Sequence, residues 1–198
     1  MCTISDFREL NMRIVSKPYP IPKISTTLQE LEGFTYATTL DLNMGYYTIR
    51  LDPTAPKMCT IIFPWGKCSY QRLPMGFAGS ADIFQVEMGN LMATLEYVRA
   101  YIDDLLVITK GSLDDHLDKL KQVFIRLRDA GLKINATKSV FCFCAQETEY
   151  LGYILTRDGI KPQPKKVQSI LALNPTNNVK ELQQFLGMVQ YYGYVAKL

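Results

Sequence analysis

The 198-residue chain predicts an α+β fold in which an antiparallel sheet carries helices on one face, a split βαβ arrangement. Three observations lead there. Short runs rich in β-branched and aromatic residues, such as Tyr36-Ala37-Thr38-Thr39-Leu40 and the pair Tyr97–Ile102 and Leu105–Thr109, read as strands. Two longer stretches, from Ser80 to about Leu95 and from Ser112 to Gly131, repeat apolar residues at helical spacing. Strand and helix then alternate in an order that can bring Asp41 and Asp103 to neighbouring strand tips.

Taken in order, residues 1–35 read as connective. Prolines 18, 20 and 22 force extended backbone, and Ser25 or Thr26 can cap a short helix over Thr27–Glu32 that Gly33 closes. The strand at Tyr36–Leu40 runs into Asp41, turns at Asn43-Met44-Gly45 and continues as a second strand, Tyr47–Leu51. Met58–Phe63 and Lys67–Arg72 form a hairpin across Pro64-Trp65-Gly66. The loop Leu73–Gly79 ends at Ser80, an N-cap residue for a helix carrying Phe84, Met88, Leu91, Met92 and Leu95 on one face.

Ser112 caps a second helix whose apolar face is Leu113, Leu117, Leu120, Phe124 and Leu127, stopped by Gly131. His116, the only histidine, sits among Asp114, Asp115 and Asp118 and reads as a solvated surface residue. A loop, Leu132–Ser139, precedes strands at Val140–Phe143 and Glu149–Leu155, the latter turning at Arg157-Asp158-Gly159. Pro162 and Pro164 mark a subdomain boundary, beyond which Lys165–Leu173 is helical. Asn178 with Glu181 then opens a last helix.

Nearly half the residues are hydrophobic, which predicts a soluble globular chain, and no apolar run reaches the ~20 residues of a membrane span. The first residues lack the pattern of a secretory signal. Five cysteines (Cys2, Cys59, Cys68, Cys142, Cys144) are odd in number and show no zinc spacing, which predicts reduced thiols in an intracellular protein. A net charge of +3 permits a polyanionic partner without demanding one.

Asp103 and Asp104 stand side by side where an apolar run breaks, at the tip of a hairpin. Neighbouring anions in a partly dry setting repel, and a divalent cation with oxygen-only ligation, such as Mg²⁺, removes that penalty. Aspartate is also simply a common turn residue, so the pair alone leaves both readings open. A further carboxylate from Asp41 could complete a site for two ions ~3.5–4 Å apart, the geometry of in-line nucleotidyl transfer.

Leu40-Asp41-Leu42…Gly45-Tyr46, Leu73-Pro74-Met75-Gly76…Ser80…Phe84-Gln85, Tyr101-Ile102-Asp103-Asp104 (a YIDD motif), Gly131-Leu132-Lys133…Lys138 and Tyr150-Leu151-Gly152-Tyr153 occur in the order and spacing of reverse transcriptases. With Phe185–Tyr192, the chain most resembles the Pol segment of gypsy-type LTR retrotransposons. The resemblance covers essentially the whole chain.

It implies a polymerase palm at residues 17–48 and 80–157, partial fingers at 1–16 and 49–79, and the start of a helical thumb at 158–198. It implies an RNA-directed and DNA-directed DNA polymerase using two Mg²⁺ ions, or Mn²⁺ in their place, with dNTPs and a primed RNA or DNA template. Asp41, Asp103, Asp104 and the backbone carbonyl of Leu42 would hold the metals. Lys138 would protonate the leaving pyrophosphate. Tyr46 would exclude a 2′-hydroxyl as a steric gate, with Met75 and Gly76 also at the nucleotide. Pro74, Phe77, Gln85 and Tyr101 would face template and primer, and Tyr150, Leu151, Gly152 and Tyr153 would grip the primer end.

Ribonuclease H, integrase and protease segments of a Pol polyprotein would be partners, the setting a cytoplasmic retroelement particle or the nucleus. There are departures. No Arg or Lys precedes Arg8, where relatives carry a basic residue that clamps the triphosphate, and Gly193 stands where an arginine is common. These motivate an alternative, a truncated retroelement remnant that folds and binds nucleic acid but polymerises little. A third reading is another palm enzyme, such as a nucleotide cyclase or a group II intron polymerase, and the gypsy-like start of the thumb argues against both.

Overall fold

Strand β1, Tyr36–Asn43, is the spine of the main sheet because it is paired on both sides. The computed structural model describes residues 5–15, 19, 21–22, 27, 33–142, 147–156, 159–172 and 178–193. On one side β1 pairs antiparallel with the later strand Asp104–Thr109, in register from Tyr36↔Thr109 to Asp41↔Asp104. That strand in turn pairs with Val98–Tyr101. On the other side of β1 lie Val140–Cys142 and the two-residue strand Lys133–Ile134. In chain order these are β4 (98–101), β5 (104–109), β6 (133–134) and β7 (140–142), following a separate ribbon of β2 (Thr60–Phe63) and β3 (Gly66–Ser69). A three-stranded sheet of β8 (Glu147–Tyr150), β9 (Tyr153–Thr156) and β10 (Gly159–Pro162) completes the α+β architecture.

The two-residue period of a strand sorts side chains between two cores. Leu40 and Leu42 of β1, with Leu105 and Val107 of β5, face the helices α2 (Ser80–Met92) and α3 (Leu113–Asp129). There they meet Phe84, Met88, Leu120, Val123 and Leu127, a contiguous buried cluster in which each large side chain contributes ~1.5–3 kcal/mol. Residues of opposite parity, Ala37 and Leu106, pack with Phe34 and under Tyr150, Tyr153 and Leu155 of the small sheet. Asp41 and Asp104 have that second parity, so the sheet presents both on the face away from the helices.

Helix boundaries follow local chemistry. The Ser112 side chain accepts from the Asp115 N–H and caps α3 as expected. At its other end the Gly131 N–H donates to the Arg128 carbonyl and the Leu132 N–H to the Leu127 carbonyl, with Gly131 at φ +72°, a Schellman stop. Pro164 occupies the first turn of α4 (Pro164–Leu171), where its missing N–H is no loss. The Asn178 side-chain oxygen accepts from the Glu181 N–H, the first half of a capping box, and its amide donates to the Glu181 carboxylate before α5 (Val179–Gly193); α1 is the single turn Arg8–Asn11. No helix among the described residues is long and apolar enough to cross a membrane. Cys59 and Cys68 are free thiols.

Four local expectations are corrected. Residues 47–51 are not a strand: Gly45–Thr48 is a 3₁₀ turn, entered through Met44 at φ 54° and closed by the Thr48 hydroxyl donating to the Gly45 carbonyl. Ser80 does not cap α2; Gly79 holds that position, and the Ser80 hydroxyl donates to the Pro74 carbonyl instead. Glu149–Leu155 is not one strand but two, folded at Leu151-Gly152, both at positive φ as a type I′ turn requires. The short helix expected over Thr27–Glu32 and the Arg157–Asp158 part of the following turn lie outside the described residues.

The fourth correction is His116. It is 0% exposed, because α3 turns its 113–116–120–123–127 stripe inward and leaves Leu117 on the surface. One ring nitrogen pairs with the Thr38 hydroxyl and the other with the Thr109 hydroxyl, both at 2.9 Å, tying β1 to β5 beneath α3. Hydroxyls can donate or accept, so a neutral imidazole is satisfied in either tautomer. Burial pushes its pKa below 6.5, against a smaller upward pull from Asp115 and a downward one from Lys119. The unfolded chain therefore binds a proton that the folded chain resists, so the neutral ring's contribution is present above about pH 6.5 and is lost as pH falls. Denaturation midpoints at pH 7.5 and 5.5 should fall with acid in the native protein and fall less in His116→Gln; an equal fall in both would contradict the assignment.

Candidate active site

The carboxylate hairpin is built by a two-residue reversal. Tyr101 pairs with Asp104 across β4 and β5, leaving Ile102 and Asp103 as the turn. Ile102 sits at φ 53°, a left-handed conformation that a β-branched residue adopts only when its surroundings hold it there. Gln85 of α2 does so. It is 4% exposed, its carbonyl accepts from the Ile102 N–H at 2.6 Å, and its amide donates to the Ala100 carbonyl at 3.1 Å.

The sequence expectation put Gln85 at template or primer, but here both ends of its amide are engaged by the hairpin backbone. Gln85→Leu should lower stability by about 1–3 kcal/mol, because two backbone groups lose their partners. It should also slow any reaction that depends on Asp103. A variant unchanged in both denaturation midpoint and turnover would contradict this positioning role.

Three carboxylates gather at this end of the sheet. Asp41 and Asp104 are direct cross-strand partners, and the Leu42 N–H donates to the Asp103 carbonyl at 2.9 Å, seating the turn against the end of β1. Burial, followed by repulsion from Asp103 and Asp41, raises the Asp104 pKa to about 6 despite Lys138 nearby. Asp103 also pushes up the Tyr46 phenol, after burial, which places those two side chains within electrostatic reach.

The donor set is oxygen-only and anionic, which suits a hard divalent cation. The repulsion at Asp104 is the cost that such a cation would remove. Among the described residues, no three His, Cys, Asp or Glu side chains are gathered closely enough to hold an ion as they stand.

A cleft of about 230 Å³ opens beside the acids, lined in part by Asp41, Asp104, Lys138, Glu149, Tyr150 and Gln163. Lys138 Nζ lies 3.6 Å from Asp41 Oδ2 and is otherwise exposed, a long surface-type pair contributing little stability. Tyr150 and Tyr153 are buried as packing of the second core, while Leu151 and Gly152 form the turn between them. Burial and the neighbouring Asp104 raise the Tyr150 phenol well above its ordinary pKa.

Tyr46 stacks on Phe84 with ring centroids 5.0 Å apart. Gly45 makes that stack possible, since a Cβ there would fall 2.5 Å from the Phe84 ring. The loop before α2 is pinned at several points. Asn11 donates to the Gly76 carbonyl and accepts from the Ala78 N–H, Phe77 meets Phe7 edge-on, and Pro74 is buried. Met75 is half-buried, and Tyr101 is half-buried opposite Asp104.

Two residues that position Asp41 escaped the sequence reading. The Asn135 N–H donates to the Asp41 carbonyl at 2.8 Å, and the Ser139 hydroxyl accepts from the Asp41 N–H at 3.1 Å while donating to the Asn135 carbonyl. Both lie in the stretch read as plain loop, where only the turn-forming Asn-Ala-Thr sequence hints at structure.

The sequence model for reverse transcriptase (RNA-dependent DNA polymerase) matches residues 1–155. The chain is 38% identical over 193 residues to the retrovirus-related Pol polyprotein from transposon opus of Drosophila melanogaster. It is 31% identical over 193 residues to that from transposon gypsy of the same organism. Each alignment covers 96% of this chain but only 19% and 18% of those polyproteins, so the chain spans about a fifth of their length. Among solved structures, the foamy viral protease-reverse transcriptase in complex with double-stranded DNA superposes with a TM-score of 0.85 at 23% identity. That likeness covers 94% of this chain and 38% of that one, and it shows the shared fold.

Proposed function

The chain belongs to the reverse transcriptase family, and on that premise we propose that it is the catalytic core of an RNA- and DNA-directed DNA polymerase that adds dNTPs to a primer 3′ end. The observation that carries this reading is the Asp41↔Asp104 register with Asp103 bonded to Leu42, which brings acids 62 and 63 positions apart to one end of the sheet.

Asp41, Asp103 and Asp104, with the carbonyl of Leu42, would hold two divalent cations, Mg²⁺ or Mn²⁺. When bound, these supply charge neutralisation at the phosphates and lower the pKa of the attacking hydroxyl. The primer 3′-hydroxyl gives its proton to solvent water, its oxygen forms a bond to the α-phosphorus, and the bond from that phosphorus to pyrophosphate breaks. Lys138, already beside Asp41, gives the leaving pyrophosphate a proton. Tyr46, propped by Phe84, closes the space that a 2′-hydroxyl would need. Met75 and Gly76 line the nucleotide side, while Pro74, Phe77 and Tyr101 face the template. The Tyr150–Tyr153 hairpin turn supports the primer end.

Residues 17–48 and 80–157 act as the palm, 1–16 and 49–79 as part of the fingers, and 158–198 as the start of a thumb. The setting is intracellular, a cytoplasmic retroelement particle, with ribonuclease H, integrase and protease segments of a Pol polyprotein as partners. The test is primer extension by the purified chain with Mg²⁺, the four dNTPs and a primed RNA or DNA template. Elongation by successive nucleotides is the expected result; no elongation on either template would contradict the proposal.

A further inference from the structure

The β2–β3 ribbon takes no part in the carboxylate site, yet its tip carries one feature of nucleic-acid recognition and the segment around it, residues 50–72, carries another. Its tip, Phe63-Pro64-Trp65-Gly66, places Trp65 at 78% exposure, parallel to Phe63 within 4° and at 5.0 Å between ring centroids. A large aromatic held flat by one neighbour and otherwise in water is an unusual place to leave an indole, since such rings are normally buried on packing.

The charge around it is one-sided. Residues 50–72 carry Arg50, Lys57, Lys67 and Arg72 against Asp52 alone, four positive and one negative, a net of +3. That equals the +3 of the whole 198-residue chain, so the remainder is neutral on balance. All four cations are exposed, and none is ion-paired among the described residues.

The ribbon is also mechanically joined to the candidate nucleotide site. Arg50 bridges to Arg72, the Leu73 N–H donates to the Ile49 carbonyl, and the Arg72 guanidinium donates to the carbonyls of Tyr47 and Thr48, in the same turn as Tyr46.

We propose that the Phe63–Trp65 stack is a platform on which an unpaired base of a single-stranded template lies, in a segment whose net charge of +3 attracts the phosphate backbone. A stacked aromatic pair in a positively charged stretch of chain is the chemistry that binds single strands regardless of sequence, because every base offers a π-face and every nucleotide a phosphate. Paired bases inside a duplex offer no such face, so the platform selects the unpaired strand. The inference rests on the polymerase reading for why a single strand should be present, but it is read without catalysis.

Trp65 is the only tryptophan of the chain, so its emission reports the platform alone. Two labelled substrates are titrated without dNTPs: a template–primer with an unpaired template extension, and the same duplex with blunt ends. Binding is followed by anisotropy and stacking by Trp65 emission. The extended substrate should quench Trp65, and the blunt duplex should leave it unchanged. Trp65→Leu should weaken binding of the extended substrate about tenfold and leave the blunt duplex unaffected, while Trp65→Phe restores most of the loss. Lys57→Ala with Lys67→Ala should reduce the salt dependence of binding.

Binding of the extended substrate with no change in Trp65 emission, or equal affinity in Trp65→Leu, would overturn the platform while leaving elongation, and so the polymerase reading, intact. Failure to bind either substrate would overturn the platform too. Absence of elongation despite quenching would overturn the polymerase reading alone.

Discussion

Replacing Asp103 by Asn should lower primer extension by at least about 10³-fold while the unfolding transition stays near that of the native protein. Asn keeps the size of the side chain and removes its charge. The contacts that build the turn are made by the backbone: the Asp103 carbonyl accepts from Leu42, and Gln85 holds Ile102 and Ala100. The fold therefore has little reason to notice the substitution. The chemistry has every reason to, because a carboxylate that would hold cations against a triphosphate carries several kcal/mol of transition-state stabilisation. Asp103→Asn also relieves one source of repulsion on Asp104, whose pKa should move down from about 6. Extension rates within a few-fold of the native protein would show that Asp103 is not part of the reaction centre.

Tyr46→Val should reduce discrimination against ribonucleotides roughly 10–10²-fold. An excluded hydroxyl clashing with a braced ring is a packing penalty of about 1–3 kcal/mol, and removing the ring removes that penalty. Bracing is the essential point. Phe84 is buried at the centre of the main core and stacks on Tyr46, and Gly45 lets the two rings approach. Truncation leaves part of the Phe84 ring uncovered and costs about 1–2 kcal/mol of stability, so the comparison is of kcat/KM ratios for ribo- and deoxynucleotides in the folded variant. An unchanged ratio would remove Tyr46 from sugar selection.

What could be read in the letters followed the strength of local periodicity. The strand-like runs at 36–40 and 105–109 brought Asp41 and Asp103 to neighbouring strand tips, and the caps at Ser112 and Gly131 delimited α3 to within a residue. Where two periods compete, tertiary packing decided. Tyr47–Leu51 alternates like a strand, but the left-handed Met44 and the seat of Tyr46 on Phe84 impose a 3₁₀ turn. His116 looked solvated because its sequence neighbours are acidic. What buries it is a pair of threonine hydroxyls 78 and 7 positions away, which no window along the chain reveals. Asn135 and Ser139 were invisible for the same reason: their hold on Asp41 spans roughly a hundred residues and uses backbone groups. The acids were legible as residues; the frame that aims them was not.

Binding of Mn²⁺, measured as loss of the free-ion paramagnetic resonance signal in the presence of primed template and a non-hydrolysable dNTP, tests most directly whether the three acids act as one cation site. The native chain should take up two ions, and Asp41→Asn combined with Asp103→Asn should take up none beyond those held by the nucleotide and template alone. Undiminished uptake by the double variant would mean that Asp41 and Asp103 meet at the end of the sheet without holding metal.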